Sequence, residues 1–98
     1  MAVKVLTRKM VPRNKAIEII PLFRELRGLA MKQKGFLTCE TLRNLENPEE
    51  FVVISTWRTS KDLKHCLQMN EIKKTQEKMD LLLGGKTDYQ IFYYGFTE

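Results

Sequence analysis

The chain has 98 residues, of which 43% are hydrophobic and 30% are charged, and these values are typical of a single globular domain spanning residues 1–98. It has no apolar run near the roughly 20 residues of a membrane helix, and two cysteines with one histidine are too few for a zinc site. The net charge of +5 is uneven, because residues 1–34 hold nine basic and two acidic side chains, so this third could attract an anionic ligand.

The first third of the chain predicts a strand followed by a long helix. β-Branched residues alternate along Ala2–Val11, which is typical of a strand. Asn14 can cap a helix, and apolar residues at three-to-four spacing predict an amphipathic helix over Lys15–Gln33. Pro21 predicts a kink or a late helix start, and Gly35 is a natural stop.

A hairpin and a strand-to-helix corner follow. The alternating segment Phe36–Asn44 and the apolar segment Phe51–Trp57 flank a loop and predict the hairpin. The second segment ends on Trp57, and Thr59 with Asp62 three residues later signals the start of a short helix. The only tryptophan therefore stands at a corner where pockets often form.

The remaining elements complete a recognisable order. Asn70–Leu83 predicts another helix, Gly84 ends it, and Thr87–Phe96 predicts the last strand. The order β-α-β-β-α(α)-β predicts an α+β fold, the ferredoxin-like split βαβ with a four-stranded antiparallel sheet. The strands are apolar in both phases while helices cover one face only, so we predict a homodimer through the sheet faces.

Charge and cysteine usage indicate partners and location. RNA-recognition domains share this element order, but the third strand lacks their glycine and basic residues, so we expect no nucleic acid and no membrane partner. Arg24 and Arg27 could meet an anion, although a solvated helix face is the alternative. Cys39 and Cys66 are far apart in sequence and suit the reduced thiols of a cytoplasmic protein.

Several short segments, in order and spacing, resemble the antibiotic biosynthesis monooxygenase (ABM) family along nearly the whole chain. They are Gly35-Phe36, Glu40-Thr41-Leu42, Asn47-Pro48-Glu49, the block from Phe51 to Leu63, and Tyr89 with Tyr93-Tyr94-Gly95. The resemblance implies a dimeric α/β barrel of two ferredoxin-like subunits, each with a small pocket between its sheet and helices. Members include cofactor-free oxygenases of quinol-like aromatics, haem-degrading oxygenases, small-aldehyde isomerases and proteins with no known activity.

The resemblance argues against haem. Haem-degrading members carry Asn, Trp and His at positions that hold Thr7, Cys66 and Gln76 in this chain. A haem ligand needs a coordinating nitrogen, which Gln76 does not supply. We therefore expect neither haem nor any other cofactor.

The match to the other activities is partial. Quinol-oxygenase and isomerase-like members often carry histidines where this chain has Cys66 and Glu71, and His65 lies one residue, about 100° of helix, too early. Polyketide-type oxygenases are similar at Trp57, although the Asn that accompanies it is Val53 here. Trp57 is thus the main match among positions used for chemistry.

The candidate site residues have one catalytic member and several substrate-binding members. Histidine is the side chain most often used as an acid or base in catalysis, so His65 is the candidate, with a solvated surface histidine as the alternative. Core packing or strand propensity is the alternative for each binding candidate. The binding candidates are Trp57, Cys66, Phe23, Met69, Met79 and Tyr93.

Two functions remain open. The first is a cofactor-free, metal-free monooxygenase of a quinol-like or small aromatic substrate, whose anion itself gives an electron to oxygen. The second is a non-catalytic ligand-binding or stress-related dimeric module that uses the same pocket. The missing family histidines favour the second function, and the Trp57 corner is compatible with the first.

Overall fold

A computed structural model describes residues 1–96 of the chain. Within these residues the elements follow the predicted order: β1 Val3–Met10, α1 Ala16–Met31, β2 Phe36–Arg43, β3 Glu50–Trp57, α2 Ser60–Leu67, α3 Asn70–Leu83 and β4 Gln90–Tyr93. The sheet has the order β2-β3-β1-β4, and each neighbouring pair is antiparallel. This topology confirms the α+β ferredoxin-like fold.

The helices pack on one face of this sheet. Strand residues alternate between the faces, and the register pairs Val3 with Trp57 on the side that the helices cover. On the opposite face Leu6 pairs with Ile54, and Phe92 of the neighbouring edge strand is 50% exposed. The outer face is therefore apolar in part and lies open in the single chain.

The buried hydrophobic side chains form two adjoining clusters between the sheet and the helices. One cluster surrounds the Trp57 corner and consists of Val3, Val5, Trp57, Leu63, Cys66 and Ile72. The other lies near the start of α1 and consists of Val11, Ile19, Phe23, Phe51 and Met79. The rings of Phe23 and Phe51 stack in the second cluster with their centroids 5.3 Å apart.

The start of α1 differs from the sequence prediction. A short 3₁₀ turn over Arg13–Lys15 precedes the helix, and the side chain of Asn14 does not cap it. The helix already begins at Ala16 and continues through Pro21, so the predicted late start is wrong. The carbonyl that Pro21 leaves without an amide belongs to Ile17, whose side chain is 83% exposed, so water can reach this turn.

Two other predicted boundaries are corrected. Helix α1 ends at Met31, so Gly35 does not stop it directly and instead turns the chain into β2 with a φ of +86°. The last strand spans only Gln90–Tyr93 rather than Thr87–Phe96, because it pairs with the first half of β1 alone. The residues before it form a loop whose side chains serve the site described below.

The predicted ends of the other helices are confirmed. The side chain of Thr59 accepts a hydrogen bond from the backbone N–H of Asp62 at 3.1 Å and so caps α2. Gly84 ends α3 in the left-handed conformation with a φ of +75°, which glycine adopts without steric cost.

Candidate functional site

A cavity of about 100 Å³ lies between the sheet and the helices, where the two core clusters meet. Its walls are mostly apolar, and the polar atoms are concentrated in a few side chains. The lining residues come from all three helices, from β1, β2 and β3, and from the loop before β4. An apolar cavity of about 150 Å³ holds benzene, so this smaller, half-open cavity encloses a small aromatic ring only in part.

Trp57 closes one end of the cavity. Its side chain is 2% exposed, and its ring meets that of Phe36 edge to face with centroids 5.6 Å apart. The indole N–H donates to the hydroxyl of Ser55 at 3.1 Å, so the polar atom of the ring is satisfied. The ring is thus held in one orientation and presents an apolar surface to the cavity.

A buried lysine stands at the other end. Lys9 is 8% exposed, lines the cavity, and pairs across the sheet with Phe51. Since Val3 at the start of β1 pairs with Trp57 and Lys9 lies near the end of this strand, the two residues approach the cavity from opposite ends of β1. The cavity therefore runs along the strand from an aromatic end to a cationic end.

A hydrogen-bond network holds this cationic end. The ammonium of Lys9 donates to Asp80 at 3.4 Å and to the hydroxyl of Thr87, and that hydroxyl donates to Asp80 at 2.6 Å. The side-chain amide of Gln76 also donates to Thr87, and the hydroxyl of Tyr89 donates to the Gln76 carbonyl oxygen at 3.1 Å. The Lys9 ammonium thus has two partners in this network, one charged and one neutral.

Burial and pairing shift the pKa values of this network. Burial lowers the pKa of Lys9, and the carboxylate of Asp80 partly offsets this effect. Burial opposes ionisation of Asp80, but the hydrogen bond from Thr87 and the charge of Lys9 leave its pKa below the usual value. Burial, followed by the nearby Asp80 charge, raises the pKa of Tyr89 to about 12, so this phenol stays protonated and can donate hydrogen bonds.

Two thiols also line the cavity. Burial raises the pKa of both Cys39 and Cys66, and no acidic or cationic neighbour reverses the shift. A protonated thiol is a poor nucleophile. The cysteines therefore serve as small apolar wall residues.

The family model for antibiotic biosynthesis monooxygenase matches residues 2–78. The chain belongs to the ABM family. Among solved structures, a conserved protein from Methanosarcina mazei Go1 is similar with a TM-score of 0.86 at 22% identity, over 94% of this chain and 91% of that one. SnoaB, a cofactor-independent oxygenase from Streptomyces nogalater, is similar with a TM-score of 0.85 at 18% identity, over 98% of this chain and 95% of that one. No curated protein gives a significant match.

This ABM member places three of the predicted binding residues in the cavity wall, namely Phe23, Trp57 and Cys66. The other three lie elsewhere. Met79 is fully buried in the second core cluster, and Met69 packs against the first cluster without lining the cavity. Tyr93 is 69% exposed on the edge strand.

The candidate acid or base does not reach the cavity either. His65 lies on the exposed side of α2, while its neighbour Cys66 on the buried side lines the wall. Carboxylates and imidazoles are absent from the lining among residues 1–96. The same described part of the chain has no group of three or more His, Cys, Asp or Glu placed to hold a metal.

The sequence analysis missed the cationic end of this ABM cavity. Lys9 shares the strand phase of Val3, Val5 and Thr7, so alternation alone could have placed it on the face that the helices cover. No sequence pattern near Lys9 predicts its contact with Asp80, because the two residues are separated by most of the chain.

Proposed function

We propose that this protein binds a small phenolic aromatic in the cavity and oxidises it with molecular oxygen as a cofactor-free monooxygenase of quinol-like substrates. The observation that carries the proposal is the apolar, half-open cavity, which has a buried lysine in its wall. The similarity in fold to SnoaB, a cofactor-independent oxygenase, supports the reaction type.

The reaction balances without a further reductant. The substrate anion gives one electron to oxygen, and the resulting radical and superoxide join in a carbon–oxygen bond as a ring hydroperoxide. The O–O bond then breaks, the outer oxygen leaves as water with the hydrogen of the same ring carbon, and the inner oxygen stays on the ring. One hydroquinone and one oxygen molecule thus give one hydroxyquinone and one water.

The lining residues have distinct tasks in this reaction. The ammonium of Lys9 stabilises the phenolate oxygen, which favours the anion that reacts with oxygen. The ring of Trp57 and the aliphatic walls orient the substrate and exclude water. The substrate proton leaves to solvent, since no carboxylate or imidazole lines the described part of the cavity.

Oxygen uptake tests the proposal. We expect the protein to consume oxygen with at least one hydroquinone in a panel, and Trp57→Phe to slow uptake about 10-fold because the substrate is less well held. His65→Ala is the matched control and should keep the rate, since His65 lies outside the cavity. No uptake with any hydroquinone would refute the enzyme, and an unchanged rate in Trp57→Phe would refute the role of Trp57 in holding the substrate. A loss in His65→Ala would restore the histidine as the base.

The second candidate function is a non-catalytic ligand-binding module. It is favoured by a specific observation: the titratable groups in the wall are thiols, a tyrosine, a lysine and an arginine, and the thiols and the tyrosine have raised pKa values. Such a wall offers no strong base. Binding of a hydroquinone without oxygen uptake is the result that would support this function.

We also propose that two copies of this chain associate through the outer faces of their sheets. The outer face carries Leu6, Ile54 and Val52, with Leu42 45% and Phe92 50% exposed, and helices cover the opposite face. Burying these side chains removes apolar surface from water. We expect light scattering at micromolar concentration to give the mass of a dimer, and a monomer mass would contradict the proposal.

A cytoplasmic location fits the cysteines. Both Cys39 and Cys66 are free thiols, the second of them buried. Free thiols persist in a reducing compartment. Among residues 1–96 none of the helices has the length and apolar character needed to cross a membrane.

A further inference from the structure

An open groove lies beside the cavity, between α1 and β2. Three arginines, Arg24, Arg27 and Arg43, line it. Phe23, Arg27 and Thr41 line both the groove and the cavity, so the two spaces are adjacent and share a wall. The groove therefore lies directly beside the cavity.

The fold brings these arginines together from two elements. Arg24 and Arg27 are three residues apart on α1 and so lie on adjacent positions of one helix face. Arg43 ends β2, and its guanidinium carbon lies 4.5 Å from the centroid of the Phe51 ring. Phe51 in turn stacks on Phe23, so the aromatic pair holds one guanidinium in the groove.

The three positive charges are not neutralised by neighbours in the described chain. The ion pairs formed within residues 1–96 join Arg8 to Glu50 and Lys9 to Asp80, and neither involves the groove. The groove lining contains no carboxylate. Guanidinium groups bind carboxylate and phosphate oxygens in pairs of parallel hydrogen bonds.

We propose that the arginine groove binds an oxyanionic side chain of the substrate, a carboxylate or a phosphate-type group, while the aromatic ring occupies the cavity. The inference rests on the proposed function for the position of the ring, and it narrows the substrate class to anionic phenols. A neutral hydroquinone fills only the inner part of this site, whereas an anionic one fills both parts.

The only tryptophan lines the cavity, so its fluorescence reports occupancy of the inner site directly. The probes are methylhydroquinone, which is neutral, and hydroquinones that carry an acetate or a methylphosphonate side chain. Titrations without oxygen prevent turnover. We expect the anionic probes to bind about 10-fold more tightly than the neutral one at low salt, and the advantage to shrink as salt rises.

Substitution of the arginines distinguishes specific binding of the anionic probes in the groove from a general effect of the protein's net charge. The double variant Arg24→Gln, Arg43→Gln spares Arg27, which lines the cavity, so it should lose most of the advantage of the anionic probes and keep the affinity for methylhydroquinone. Arg24→Gln alone avoids the Phe51 contact and should lose part of the advantage if the double variant folds poorly. Arg58→Gln is the matched control, because Arg58 is exposed and lines neither space.

Each outcome of these titrations supports or overturns the proposed arginine groove. Equal affinity of the wild-type protein for neutral and anionic probes overturns the groove while leaving the proposed function in place. If Arg58→Gln loses the affinity advantage of the anionic probes to the same extent, the groove is also overturned, since the effect then comes from net charge. If no probe changes the fluorescence, the proposed function and the groove fail together. A stronger gain with acetate or with methylphosphonate identifies which oxyanion the groove takes.

Discussion

Replacing Gly35 with alanine should lower the free energy of unfolding by about 3 kcal/mol, the sum of backbone strain and overpacking. Gly35 has a φ of +86°, which side-chain-bearing residues rarely adopt. An alanine Cβ would lie 2.5 Å from the Cβ of Asp62 in the first turn of α2. The carbonyl of Gly35 also accepts a hydrogen bond from the N–H of Arg58 at 2.7 Å, so the backbone cannot move away without losing it.

Thermal unfolding followed by circular dichroism measures this effect. A loss of about 3 kcal/mol corresponds to a melting temperature roughly 10–20 °C lower for a domain of this size. Gly28→Ala is the control, because nothing lies within 4 Å of its added Cβ, and we expect it to be neutral or slightly stabilising. Equal melting temperatures for Gly35→Ala and the wild-type protein would show that the corner between β3 and α2 is loose.

Lys9→Met should reduce the turnover of neutral hydroquinones about 100-fold, which is typical when a charge-stabilising group is removed from an active site. Methionine preserves much of the side-chain length but cannot stabilise a phenolate. Asp80 keeps its hydrogen bonds from Thr87 and Gln76, so the network retains part of its structure. Oxygen uptake under substrate saturation measures the change in kcat.

The acidity of the substrate distinguishes an electrostatic role from a structural one. Halogenated hydroquinones that are already ionised at the assay pH need less help from Lys9, so Lys9→Met should slow them less than neutral ones. The acid limb of the pH profile should also move to higher pH in the variant, because ionisation of the substrate is no longer favoured. Lys9→Arg keeps the charge and should recover part of the rate. An equal loss for all substrates would mean that Lys9 only supports the fold.

The sequence predicts the fold well because its signals are local. The apolar run of β3, the cap at Thr59 and the glycine after α3 all act within a few residues, and the elements that they predict are confirmed. The last strand was predicted too long because its aromatic residues favour strands, whereas its length depends on how much of β1 is available for pairing. Strand propensity cannot report that tertiary limit.

The candidate site is predictable only in part for the same reason. Trp57 was found because it ends a strand just before a helix cap. The network of Lys9, Asp80 and Thr87 depends on contacts between the first strand, the last helix and the following loop. His65 and Cys66 show the opposite case, since one step of about 100° along α2 separates a solvated side chain from a cavity wall.

Because the cavity lies between the two core clusters, a ligand bound in it should raise the melting temperature of the protein. A ligand that contacts the Trp57 cluster on one side and the Phe23 cluster on the other adds contacts that the empty protein lacks. At a concentration of 100 times its Kd, such a ligand raises the free energy of unfolding by about 2.7 kcal/mol. Compound libraries can therefore be screened by melting temperature alone, without assuming that the protein turns anything over.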